Sequence, residues 1–191
     1  MTEESQTPLT DAAERGIRVA LVAVAVVGVR RRDPSAVANA AVALAGTFLP
    51  DAVERRYAVT FRPWQRLYTE SAMLTHAVGM LGPYDDVWWW DHLTHTHSAT
   101  LLGGVVHAVA RRRDRDPLPH VLAGVAGGGA LWELAEYATH GLSRRIGFDP
   151  VLVSYGRTDT LLDLLFNLVG ALLVVAFADR LVGNLVRRDG D

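Results

Sequence analysis

Apolar residues run in long blocks along this chain, and charged residues gather between the blocks. Val19–Val29 and Pro34–Pro50 carry no charge, and Leu67–Leu81 carries only Glu70. Val87–Ala110 carries Asp91 and four histidines, Leu118–Gly141 carries Glu133 and Glu136, and Thr158–Val182 carries Asp159, Asp163, Asp179 and Arg180. A bilayer core of about 30 Å takes about 20 mainly apolar residues in a helix. On that measure the blocks predict spans at about 12–29, 34–50, 67–83, 87–110, 118–141 and 158–182. The first needs Ala12–Ile17, with Arg15 and Arg18 reaching to the interface. The second starts on Asp33 as N-cap with Pro34 in the first turn, and needs Asp51–Val53 or a tilt to finish. A re-entrant or interfacial hairpin stays open for these two. The expected fold is all-α: a polytopic transmembrane helix bundle of about six spans, one domain over 12–183. A mobile polar tail is expected at 1–11 and a charged tail at 184–191.

A soluble amphipathic helix shows an apolar stripe and a charged face. Leu161–Ala178 is apolar all round except for Asp163 and Asn167, and Val121–Trp132 has no charged position. A 191-residue chain is too small to hide four such helices in a soluble core. A signal peptide does not fit either. Glu3, Glu4, Asp11 and Glu14 oppose a basic leader, and the first apolar run ends in Arg30–Arg32.

Composition adds what the pattern leaves out. Half the residues are apolar, 21% are charged, and the net charge is −2. These averages look soluble only because arginine-rich loops dilute the spans. Without a basic surplus there is no electrostatic footprint for nucleic acid. With no cysteine there is no disulfide, thiolate-held metal or thiol nucleophile.

Every one of the 19 basic residues is arginine, so orientation rests on a single residue type. With six spans, one side collects thirteen: Arg15, Arg18, Arg55, Arg56, Arg62, Arg66, Arg111, Arg112, Arg113, Arg115, Arg180, Arg187 and Arg188. The other side holds six: Arg30, Arg31, Arg32, Arg144, Arg145 and Arg157. The positive-inside rule then puts both termini in the cytoplasm, in a plasma membrane. Aromatic belts agree with these boundaries. Tyr84, Trp88, Trp89, Trp90, Phe148 and Tyr155 fall at the outer side, and Tyr57, Phe61, Trp64 and Tyr68 at the inner entry to the third span.

Ionisable side chains inside a span cost several kcal/mol and normally face a partner or a wet cavity. The fourth span carries Asp91, His92, His95 and His97, with Asp91 and His95 at i,i+4 on one face. The fifth carries Glu133, Glu136, Tyr137 and His140 as one stripe. The sixth carries Asp159, Asp163 and Asn167 at i, i+4, i+8. At 1.5 Å per residue, Asp91 and His95 lie about 5 and 10 Å below the outer ends of their helix, Glu136 and Glu133 about 8 and 12 Å, Asp163 and Asn167 about 8 and 14 Å. Three helices running in alternating directions therefore put their polar groups at one level. This predicts a single polar site in the outer half of the bundle. Gly103, Gly104, Gly124, Gly127, Gly128, Gly129 and Gly170 are expected to let these helices approach closely.

Asp91-x-x-x-His95, Trp132-Glu133-x-x-Glu136-Tyr137 and Asp159-Thr160-x-x-Asp163-Leu164-x-x-Asn167-x-x-Gly170-Ala171 resemble the YjdF-type family of small inner-membrane proteins. The similarity covers about residues 67–182, and a looser one extends to VanZ-like membrane proteins. The resemblance implies a membrane protein and this choice of site residues, and no reaction. His92 and His97 fall outside its pattern.

Three readings stay open. In the first, His95, Glu133, Glu136 and Asp163 hold a divalent ion such as zinc or manganese. Asp91, Asp159 or Glu136 then acts as base toward a bound water, on a lipid or envelope molecule, with His92, Asn167 and Tyr137 lining the site. In the second, the polar layer only fixes helix packing in a scaffolding or partner-binding protein. In the third, it relays protons or ions. Other polar residues have plainer readings. His76 is expected to be packed and hydrogen-bonded, His107 and His120 solvated at the inner rim, and His140 a cap or rim group. Glu70 is expected to pair with Arg66, and Arg157 with Asp159.

Overall fold

A computed structural model of the chain describes residues 8–57, 59–147, 150, 152 and 156–186. Phe148 and Tyr155 of the expected aromatic belt, Arg187 and Arg188, and residues 1–7 of the expected tail lie outside them. Among the described residues the fold is all-helical. Its contacts group into two compact units, Met1–Asp86 and Val87–Asp191, where the sequence reading expects one domain.

The first unit holds α1 (Pro8–Arg31), α2 (Pro34–Gly46), α3 (Leu49–Arg56), α4 (Pro63–Gly79) and the single turn α5 (Pro83–Asp86). Helix α1 starts at Pro8, four residues earlier than expected, so Pro8–Asp11 is helix and not tail. Asp33 caps α2 as predicted: its side chain accepts from the Ala36 amide at 2.9 Å, with Pro34 next in line. The second apolar segment breaks at Thr47 and Phe48. Thr47 turns its hydroxyl back onto the Leu44 carbonyl at 2.7 Å, and α3 restarts with Pro50 in its first turn. Helices α1, α2 and α4 pack on one another around Leu21, Val24, Ala40, Ala43 and Ala77.

The second unit is a three-helix bundle of α6 (Trp90–Arg112), α7 (Pro117–Ile146) and α8 (Arg157–Val186). Asp116 caps α7 by accepting from the Leu118 amide at 3.0 Å, and Pro117 opens the helix. Gly147 ends it at φ 75°, a left-handed conformation that costs glycine nothing. Helix α7 therefore outlasts the expected span by a turn, with Arg144 and Arg145 placed to favour the negative end of its dipole. Helix α8 runs past the expected start of the C-terminal tail to Val186, kinked at Phe177.

This bundle buries a few polar groups beside small apolar ones and turns large apolar side chains outward. Helix α8 buries Asp163, Asn167, Gly170, Ala171, Val174, Ala178 and Val182, one stripe at helical spacing. It exposes Leu161, Leu165, Leu168, Leu172 and Phe177. Water would reverse that arrangement; lipid would not. By length and composition, Pro34–Arg56 and Arg157–Val186 are each able to cross a membrane. The other long helices are diluted by Glu14, Arg15 and Arg18 in α1, by Arg66 and Glu70 in α4, by four histidines in α6, and by two acids among glycines in α7.

Small residues set the depth of packing. A Cβ on Gly170 would lie 2.7 Å from Ala99 Cβ and 2.8 Å from the Thr96 carbonyl oxygen, so α8 crosses α6 almost backbone to backbone. A Cβ on Gly129 would lie 2.6 Å from Asn167 Nδ2. These contacts press the polar stripes of α6 and α8 together and lay α7 beside them.

Candidate functional site: a histidine–carboxylate cluster between helices α6 and α8

Asp91 and His95 stand one turn apart on α6, and Asp163 faces them from α8. His95 Nε2 lies 3.5 Å from Asp91 Oδ1 and 3.6 Å from Asp163 Oδ1. One ligand atom from each residue falls within 4.8 Å of the others. His92 adds its Nδ1 at 4.0 Å from the same Asp163 oxygen. Its ring lies flat on Phe166, centroids 4.4 Å apart at 3°, and Trp88 meets it edge-on. Thr94 donates to the Asp91 carbonyl at 2.8 Å and leans 3.3 Å from its carboxylate.

Burial gives the cluster its chemical character. Asp163 is 1% exposed; no N–H or hydroxyl donor reaches either of its carboxylate oxygens among the described residues, and the Asp91 carboxyl lies against it. Leaving a buried acceptor unmet costs about 1–3 kcal/mol, and more for a charged group. The neighbouring imidazole nitrogens stand just beyond hydrogen-bond reach. Two ligand atoms held about 2.1 Å from one ion at a tetrahedral angle lie about 3.4 Å apart. The His95–Asp91 and His95–Asp163 separations are close to that value, and one imidazole with two carboxylates is a donor set suited to zinc or manganese.

The other sequence-predicted residues divide. Asp159 and Glu133 are electrostatic neighbours of Asp163, and Glu136 is a neighbour of Glu133, Asp91 and Asp159. One oxygen of Glu133 is buried without a hydrogen-bond partner. Glu136 accepts from the Trp132 indole at 2.8 Å. Glu133 and Glu136 are not in the tight set with His95 and Asp163; Asp91 takes that place. Being i,i+4 to His95, Asp91 reaches it within one helix, whereas the glutamates must cross from α7. Asn167 is buried against Gly129. Tyr137 is 73% exposed and points away from the core. Asp159 makes no ion pair with Arg157 among the described residues, contrary to expectation. His107 is buried, not solvated, because α6 turns it inward between Gly103 and Ala110. His120 is exposed as expected, and His140 is half-buried.

The first unit contains a polar cluster that sequence reading missed. Arg66 is 3% exposed on α4. It donates to Glu14 on α1 at 2.8 Å, to Glu54 on α3 at 3.1 Å, and to Asp51. Glu70, fully buried, pairs with Arg18 at 2.8 Å and not with Arg66. Arg18 also lies over the Phe48 ring. The i,i+4 spacings of Glu14–Arg18 and Arg66–Glu70 are visible in the sequence; the first pair is kept at 3.3 Å, and only the packing of α1 on α4 adds Arg66 to Glu14 and gives Glu70 to Arg18. His76 bonds Asn39 at 3.1 Å and Tyr84 at 2.6 Å, as a packed histidine should.

All-helical units with acids and histidine inside and leucine outside are the build of an integral membrane protein with an internal polar site. The chain belongs to the DUF2238 family of predicted membrane proteins, whose model matches residues 14–184. An uncharacterized protein of Thermotoga maritima is 29% identical over 118 residues, covering 55% of this chain and 56% of that protein. The chain thus matches just over half the length of this relative. No solved structure matches it.

Proposed function

We propose that this protein is a multi-pass plasma-membrane protein that binds a divalent metal ion through Asp91, His95 and Asp163. The observation that carries the reading is Asp163: an almost fully buried carboxylate that no N–H or hydroxyl donor among the described residues reaches, with one oxygen 3.6 Å from His95 Nε2. A cation is the group that answers such a pair of acids. Three protein ligands leave one position open, as in catalytic zinc sites. A water there would be acidified by the ion, with Glu136 and Asp159, whose charges act on the acids of the cluster, as the candidate bases. The reaction is hydrolysis of a lipid or lipid-linked envelope molecule approaching from the outer leaflet.

Six spans with both termini cytoplasmic accompany this reading. The arginine count supports the orientation, and the leucine-faced α8 supports the spanning. The YjdF-type resemblance in the Asp159–Ala171 motif points to the same residues. A purely structural polar layer is the second reading; no N–H or hydroxyl donor among the described residues reaches the Asp163 oxygens, so such a layer would need a proton shared with Asp91.

Elemental analysis of the detergent-purified protein tests the proposal. Zinc or manganese at close to one ion per chain is the expected result. Metal-free protein that neither takes up nor is stabilised by added zinc or manganese sinks it.

A further inference from the structure

At the other end of the second unit, the α6–α7 hairpin forms a groove of mixed character. Its wall is Val105, Val106 and Val109 of α6, and its mouth is Arg113, Arg115 and His120. Val105 and Val109 are exposed apolar residues on the outer face of the bundle. Neither Arg113 nor Arg115 is paired with a carboxylate among the described residues. Two acids share the α6–α7 turn with them: Asp116 caps the Leu118 amide, and Asp114, between the two arginines, forms no ion pair with either of them among the described residues. His120 fixes Nδ1 on the Asp116 carbonyl at 2.8 Å, which leaves Nε2 to point elsewhere.

We propose that this groove binds one anionic phospholipid of the inner leaflet, its phosphate between Arg113, Arg115 and His120 and an acyl chain along the valine wall. Charge complementarity selects the occupant. Two unpaired guanidiniums at a membrane surface attract anionic lipid, and basic pockets between transmembrane helices on the cytoplasmic side hold such headgroups. Arginine forks match phosphate geometry. The valines give the site a hydrophobic arm that free phosphate cannot use. The groove, about 170 Å³, is below the usual size of an enclosed small-molecule pocket, so it suits a headgroup and the start of a chain. The inference rests on the membrane reading above but not on the metal site.

The test uses the full chain in nanodiscs of equal phosphatidylglycerol and phosphatidylcholine with identical acyl chains, read by native mass spectrometry. The wild type should retain one phosphatidylglycerol in preference to phosphatidylcholine. The Arg113→Gln/Arg115→Gln variant should lose that preference by about tenfold, while Arg144→Gln/Arg145→Gln, removing equal charge from the other end of α7, should keep it. Val109→Trp, which fills the wall without altering charge, should also weaken retention, so the claim does not depend on one variant folding. Asp163→Asn should retain the lipid, which separates this site from the metal site. Equal retention of both lipids by the wild type, unchanged retention in the double variant, or equal loss in the Arg144/Arg145 control each overturns the proposal. Stabilisation by inorganic phosphate alone, matching that by lipid, overturns it as well. A chain that does not enter nanodiscs at all refutes the membrane reading instead.

Discussion

His95 on α6 and Asp163 on α8 face each other with Nε2 and Oδ1 3.6 Å apart, too far to hydrogen-bond and near the spacing of two ligands on one ion. The two residues are 68 positions apart in the chain and belong to a three-helix unit whose outer surface is leucine. Asp163, buried there beside the Asp91 carboxylate and the His92 and His95 imidazoles, belongs to a donor set that a cation would complete.

Metal retention should therefore track these two residues. Asp163→Asn and His95→Ala are expected to lower bound zinc or manganese by at least tenfold, and Glu136→Gln to leave it near wild type. Loss from second-rank partners is typically 10–100-fold, so a ligand should do no less. Elemental analysis of all three purified variants checks the ranking; metal loss in Glu136→Gln with retention in Asp163→Asn reverses it.

Gly170 sits where α8 touches α6. Gly170→Val would push a branched side chain into Ala99 Cβ and the Thr96 carbonyl oxygen. Overpacking of this kind costs about 1–3 kcal/mol. The thermal midpoint of the purified variant should fall by several degrees, and metal affinity should fall with it, because the same contact sets the His95–Asp163 distance. Gly127→Ala, where a Cβ meets nothing within 4 Å, should leave the midpoint unchanged.

The Arg66 cluster predicts a larger effect from one residue. Arg66→Met leaves Glu14, Asp51 and Glu54 without their shared cation. Breaking a buried pair by removing one partner costs about 3–5 kcal/mol. Thermal unfolding should show the loss. Combining Arg66→Met with Glu14→Gln should recover part of it, since one of the stranded charges is then gone.

Topology has a direct assay, because the chain has no cysteine and any single introduced thiol reports alone. Asp85→Cys, in the turn of α5, should react with a membrane-impermeant maleimide in intact cells. Asp114→Cys, in the α6–α7 turn, should react only after permeabilisation. The opposite labelling pattern would invert the orientation, and labelling of both in intact cells would refute the alternation of spans.

Much of the fold was legible because helices leave local signatures. The Asp33–Pro34 start of α2, the Asp116–Pro117 start of α7 and the charge-free core of α8 were readable from neighbours in sequence. The break at Thr47–Phe48 was not, since it depends on a hydroxyl turning onto its own helix and a proline two residues later. Asp91 and His95 were legible as a pair because i,i+4 spacing is a property of one helix.

The sequence by itself determined where most of the helices lie, where charge is excluded, and that acids and histidines recur along the last three helices. Only the tertiary structure decided which of them meet. Asp91 joined His95 and Asp163 while Glu133 and Glu136 stayed outside the tight set, and Glu70 exchanged Arg66 for Arg18. The reason is physical. Position along a helix follows from a 1.5 Å rise, but contact between helices depends on their rotation and crossing, fixed here by close approaches such as Gly170 against Ala99.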